Sequence, residues 1–207
     1  MTAGKRKIPG SNGAALVVKL GGSLYNHVPE IVPILSSSPC PLLIIPGGGI
    51  YADAVRQAGL DNETAHWEAI AAMDQFGRHV ASYNLPVTET LAVPDRTAIF
   101  LPGSSLRELD PLPHSWDVTS DTIAAWAAAA LRLDLLLLKS VDGIVTGGVL
   151  QEHVNRSQQT DVVDPLFIPY VLKKEVDTFI LNASRPELIS RYLRGDPVPG
   201  TRISTTF

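Results

Sequence analysis

The chain has 207 residues, of which 45% are hydrophobic and 18% charged, and a formal net charge of −4. That length and apolar share suffice for one sizeable core, while the charge gives no basic footprint for nucleic acid and no run suited to a membrane surface. Cys40 is the one cysteine, which excludes an internal disulfide framework and a cysteine zinc cluster and fits a reducing, cytoplasmic setting.

The opening segment, MTAGKRKIPGSNG, is basic, and the apolar run after it is too short for a signal-peptide core or a membrane span. It reads as a disordered arm over 1–13 ahead of one domain over 14–207. Leu16 to Leu20 is a short apolar strand interrupted by Lys19, and it ends abruptly in Gly21, Gly22 and Ser23. A lysine in such a strand either reaches water or meets an anion, and the glycines let backbone N–H groups close around phosphate oxygens. A plain strand and turn with a surface lysine is the simpler reading of this stretch alone. The spacing is not that of a Walker A loop, because the lysine precedes the glycines.

Val28 to Leu35 follows as a short helix limited by Pro29 and Pro33. Pro41 to Ile45 is a second apolar strand, stopped by Pro46 and by Gly47, Gly48 and Gly49. The residues beyond, IYADAVRQAG, form a helix closed by Gly59, so these glycines lie at a helix N-terminus, where free N–H groups and the dipole favour an anion. Two such strand–glycine junctions from one sheet can face each other. Asp61 or Asn62 caps a longer helix that runs to about Tyr83, with Trp67, Ile70, Ala71, Met73 and Ala81 at helical spacing. His66, early on that helix, is either packed or solvent-facing, or it holds a substrate oxyanion. Val87 to Val93 and Ala98 to Leu101 are candidate strands, and Gly103 to Leu109 a short helix.

The second informative region runs from Asp110 to Ile144. Thr119 or Ser120 caps an Ala-rich helix, Asp121 falls in its first turn, and Asp117 lies at the same entrance. A capping aspartate is the simplest role for Asp121. Asp134 to Lys139 is a strongly apolar strand, and SVDGIVTGG after it holds the Asp-Gly and Gly-Gly pairs of tight turns or a hairpin. Beyond lie a helix over Pro165 to Lys174, a strand over Thr178 to Leu181, a helix over Pro186 to Leu193 and a closing strand over Thr201 to Ser204. Strands alternating with helices imply a mainly parallel sheet covered on both faces.

The ordered set Lys19-x-Gly-Gly-Ser, Pro46 to Gly49, Asp117-Val-Thr-Ser-Asp121 and Asp142-Gly143 resembles the amino acid kinase family, over nearly the whole chain from Ala15 to Ser204. Within it, SWDVTSDTIAAW and ETAHW look most like the branch that converts an aminomethyl-furan phosphate to a diphosphate in methanofuran biosynthesis. The resemblance implies a three-layer αβα sandwich with a mainly parallel central sheet, in a homo-oligomer. It implies ATP and Mg²⁺ as cofactors, a small-molecule phosphate acceptor, and neither nucleic acid nor membrane as partner. Carried over by residue, Lys19 and Asp121 would be catalytic, Asp121 orienting the lysines. Gly21, Gly22, Ser23, Lys139, Asp142 and Gly143 would border the nucleotide. Gly47, Gly48, Gly49 and Asp117 would hold the acceptor. Many relatives have a second catalytic lysine late in the chain; here Lys173 and Lys174 lie near that region, with no motif selecting either. An amino-acid carboxylate kinase making an acyl phosphate, and a silent nucleotide- or oxyanion-binding protein on the same fold, are the alternatives.

Overall fold

Strands and helices alternate along residues 14–205, which the computed structural model describes; the arm expected over 1–13 lies outside the described residues. The strands are β1 (Leu16–Leu20), β2 (Leu42–Pro46), β3 (Val87–Thr88), β4 (Ala98–Phe100), β5 (Leu135–Lys139), β6 (Val145–Thr146), β7 (Val149–Leu150), β8 (His153–Val154), β9 (Thr178–Asn182) and β10 (Thr201–Ile203). Eight of them make one sheet in the order β3-β4-β2-β1-β5-β9-β10-β8, and β6 with β7 forms a separate antiparallel hairpin. Every neighbouring pair in the large sheet is parallel except β9 and β10. A 3-10 helix over Gly22–His27 leads into α1 (Val28–Ser36). The other helices are α2 (Gly49–Gln57), α3 (Asn62–Ala81), α4 (Gly103–Leu109), α5 (Ser120–Leu131), α6 (Phe167–Lys173) and α7 (Pro186–Leu193).

The side-chain alternation of the central strands sorts the molecule into layers. Leu16, Val18 and Leu20 of β1, with Leu136 and Leu138 of β5, pack under α1 and α7. Val17 of β1, with Leu135 and Leu137 of β5, packs under α5 and α6. Both faces of these strands are buried, which is why β1 and β5 read as nearly continuous apolar runs and not as alternating ones. Helix α3 serves both layers, with Ile70 and Met73 in one cluster and Phe76 and Val80 in the other. The three-layer αβα architecture expected from the sequence is the one observed.

One local expectation changes, and one strand lies outside the expectations. The strand expected over Val87 to Val93 is only the two residues of β3. There the Thr88 hydroxyl accepts a bond from the Thr90 amide at 3.2 Å, which turns the chain out of the ladder. Strand β8, two residues at the far edge, has too little length for a period to be read from sequence. Among the described residues no helix is long and apolar enough to cross a membrane.

Candidate active site

The same alternation that builds the core builds the site. Lys19 follows Val17 on the face of β1 turned toward α5, and Lys139 follows Leu135 and Leu137 on the same face of β5. In the parallel register Lys19 stands opposite Leu137, so the two lysines close adjacent apolar rows at the C-terminal edge of the sheet. Helix α5 begins over that edge, and its first turn supplies Asp121. The Lys19 ammonium lies 2.7 Å from Asp121 Oδ1, and Lys139 donates a hydrogen bond to Asp121 Oδ2 at 2.5 Å. Oδ1 has no hydrogen-bond partner of proper direction, so the Lys19 contact is charge attraction without a directed bond.

All three side chains are largely withdrawn from water, that of Lys139 being 14% exposed and those of Lys19 and Asp121 each 5%. Burial by itself would raise the Asp121 carboxyl, but the adjacent charges of Lys19 and Lys139 outweigh it and hold the group below the usual carboxylate range. Burial and the Lys19 charge push the Lys139 ammonium down to about 8, against the pull of Asp121. Two cations around one anion give these three side chains one net positive charge, with Asp164 the next carboxylate along the cleft, and the two ammonium groups suit an anionic ligand.

A carboxylate from far along the chain fixes the entrance of α5. Asp164 Oδ2 accepts from the Thr119 amide and hydroxyl, each at 2.9 Å, and from the Thr122 amide at 3.0 Å; its Oδ1 accepts from the Thr122 hydroxyl at 2.5 Å. Asp164 therefore satisfies N–H groups of the first helical turn, while the expected cap Thr119 reaches the Asp121 amide at 3.4 Å. Asp121 is freed from the capping role and faces the lysines.

The two glycine junctions abut, as expected. A Cβ placed on Gly22 would stand 2.4 Å from the Gly49 amide nitrogen, and one on Gly47 2.8 Å from that of Gly22. Gly49 has a φ of +54°, a left-handed conformation that its lack of a side chain permits. Because the Gly22 neighbour is backbone, Gly22→Ala must separate the junctions. We expect it to lower the melting temperature and to cut kcat/KM on the order of tenfold or more. A thermal melt and initial rates check this, and unchanged values would contradict the close approach.

Lys19, Gly21, Gly22, Ser23, Gly48, Gly49, Asp121 and Lys139 line one open cleft, together with Trp116, Arg56 and the loop Asp161 to Pro165. Gly47 is buried behind it. Asp117 is exposed and not on its wall; its carbonyl accepts from the Leu166 amide. Asp142 and Gly143 are also off this wall. Asp142 accepts from Asn182 at 2.9 Å and pairs with Arg185, which ties the loop after β5 to β9 and α7. Lys173 and Lys174, at the end of α6, are exposed and away from Asp121. The second lysine on Asp121 is Lys139, placed by sequence on the nucleotide border. Its signal was the shared parity with Leu135 and Leu137.

The cleft continues into a smaller apolar pocket between α2, α3 and α5, lined by Ala65, Ile70, Met73, Val118 and Ile123, with His66 in its wall. The His66 ring is half-buried and stacked on that of His114 at 4.1 Å, with its remaining surface on this pocket. Among the described residues no group of three or more His, Cys, Asp or Glu side chains is placed to hold a metal ion.

No protein-family model matches the chain. It is 29% identical over 201 residues to the [5-(aminomethyl)furan-3-yl]methyl phosphate kinase of Methanocaldococcus jannaschii, covering 86% of this chain and 93% of that protein. It is 26% identical over 230 residues to the uridylate kinase of Thermofilum pendens, covering 92% and 97%. The crystal structure of uridylate kinase from Archaeoglobus fulgidus superposes with a TM-score of 0.66 at 18% identity, covering 92% of this chain and all of that one. Its motifs, its sheet and these relatives agree: the chain is an ATP-dependent kinase with the fold of the amino acid kinase family.

Proposed function

We propose that the protein transfers the γ-phosphoryl group of ATP to a small phosphate monoester and forms a diphosphate, with [5-(aminomethyl)furan-3-yl]methyl phosphate as the acceptor. The observation that carries this reading is the buried Lys19–Asp121–Lys139 centre at the meeting point of two glycine junctions. In this reading ATP phosphates lie against the backbone of Gly21 to Ser23, and the acceptor phosphate lies against Gly48 and Gly49. Lys19 and Lys139 reach the group in transit from the sheet edge. Phosphoryl transfer asks mainly for positioning and for charge stabilisation, which fixed ammonium groups supply without reorganisation.

A phosphate monoester carries most of its second negative charge at neutral pH, so its oxygen attacks without a general base. Asp121 is therefore free to act as a strut between two cations. Asp121 and Asp164 are both engaged, and among the described residues no group of three or more His, Cys, Asp or Glu side chains is placed to cage Mg²⁺. A Mg²⁺ carried in on ATP would be held mainly by phosphate oxygens and water and would neutralise phosphate charge. The curated relatives named for phosphate acceptors support a phosphate over the carboxylate of an amino acid.

The assembly expected of the chain is a closed symmetric homo-oligomer, the commonest form of soluble oligomer. We expect an ATP-consumption screen with Mg²⁺ to respond to the furan methyl phosphate and to remain at baseline with amino acids. Turnover of an amino acid, with an acyl phosphate trapped by hydroxylamine, would overturn the reading.

A further inference from the structure

Behind the His66 wall of the apolar pocket stands one feature that phosphate transfer leaves unused. His114 is clamped between two carboxylates: its Nδ1 pairs with Glu63, and its Nε2 with Asp110 Oδ1 at 2.7 Å. A ring that faces a carboxylate at both nitrogens carries two protons, and Glu63 followed by Asp110 raises the His114 imidazolium accordingly. Trp67 donates to the second Glu63 oxygen at 2.8 Å and fixes that clamp. His66 stacks on this cation and makes no hydrogen bond among the described residues. Burial, and then the His114 charge, lower its basicity, so the ring is neutral at physiological pH and has one nitrogen able to accept.

Behind His66, Glu63 and Asp110 flank the His114 cation with two carboxylates, and Arg107 lies beyond them over the Trp67 ring at 4.8 Å. Arg56, the cation at the pocket mouth, is itself paired to Asp53 at 2.8 Å and lies over the Trp116 ring. A ligand that enters from the phosphate side thus meets an apolar sleeve, then a neutral acceptor with two carboxylates behind it. That order fits a molecule with a phosphate at one end, a flat apolar body and a protonated amine at the other. We propose that His66 is a specificity-determining residue, accepting a hydrogen bond from a protonated amine at the far end of the phosphate-monoester acceptor. The inference rests on the phosphate-acceptor reading above and names the group that selects among such acceptors.

The test compares two acceptors with the full chain: [5-(aminomethyl)furan-3-yl]methyl phosphate, and (5-methylfuran-3-yl)methyl phosphate, which lacks only the amino group. A pocket built to bond a polar group rejects the analogue without it, so wild type should prefer the amine by roughly a hundredfold in kcat/KM. His66→Leu should raise KM for the amine on the order of tenfold, with kcat and the KM for ATP little changed, and the preference should collapse. His66→Gln, whose carbonyl also accepts, should restore part of it; a residue that merely packs would not be rescued in this selective way. Preference retained in His66→Leu, or absent in wild type, overturns the inference while the phosphate reading stands. Turnover of UMP with neither furan phosphate also overturns it. No turnover of any phosphate monoester removes both readings.

Discussion

Lys19→Ala is expected to lower kcat by about a hundredfold or more, roughly 3 kcal/mol of transition-state stabilisation, while ATP binding changes little. The charge count at the centre explains the size. Lys19, Asp121 and Lys139 together carry one net positive charge, and removal of Lys19 leaves a neutral Lys139–Asp121 pair facing the transferred group. The nucleotide still has the backbone of Gly21 to Ser23 to hold it, so the loss falls on the transition state and not on ground-state binding. Single-turnover rates and an ATP titration separate the two. Near wild-type kcat in a folded Lys19→Ala protein would remove Lys19 from the reaction.

Asp121→Asn is expected to be as severe, for the opposite electrostatic reason. The amide keeps the shape but removes the anion between two buried ammonium groups, which leaves two positive charges without a counterion. The Lys139 ammonium, already lowered to about 8 by burial and by Lys19, loses the partner that opposes that shift. The sign follows directly. Lys139 is protonated below its folded value and loses its charge above it, so kcat/KM should fall as pH rises through about 8 in wild type. In Asp121→Asn that alkaline limb moves to lower pH. In Lys139→Arg, always charged, it should disappear even though the altered geometry lowers the rate. Bound phosphates raise the lysine again, so the limb in kcat lies above that in kcat/KM. The linkage to stability runs the other way. Folded Lys139 holds its proton less tightly than unfolded lysine, so its cost to the fold is full below about 8 and is relieved toward the unfolded value of 10.5. A rate that declines with pH while the melting temperature does not is the distinguishing pattern. Because Lys19 and Asp121 act as one unit, the double variant should be little worse than the poorer single one.

Much of this centre was legible before any coordinate. The abrupt end of β1 in glycine after Lys19, the second junction at Pro46 to Gly49 and the acidic first turn of α5 are local signals, and each fell where the chain pattern put it. The helices α4 and α7 match their expected bounds to the residue. What escaped depends on contacts distant in sequence. Lys139 closes an all-leucine strand, and its partnership with Asp121 needs the β1–β5 register and the seat of α5, neither of which a single run encodes. Asp164 takes over the helix cap from a loop 42 residues beyond Thr122, so a reading of α5 alone leaves Asp121 as its apparent cap. Asp117 and Asp142 show the converse. Both belong to the right motifs, yet Asp117 is exposed, and the Asp142 carboxylate is engaged by Asn182 and Arg185. His114, stacked behind His66, has no motif; only the fold brings it to Glu63, His66 and Asp110.

The central claim is that this cleft joins the γ-phosphoryl group of ATP to the phosphate of a monoester. Phosphorus-31 NMR of a reaction of the full chain with ATP, Mg²⁺ and [5-(aminomethyl)furan-3-yl]methyl phosphate tests it most directly. The account predicts loss of the monoester singlet and growth of two mutually coupled diphosphate doublets, in step with ADP and abolished in Lys19→Ala. ADP with only inorganic phosphate, the monoester singlet untouched, would contradict it.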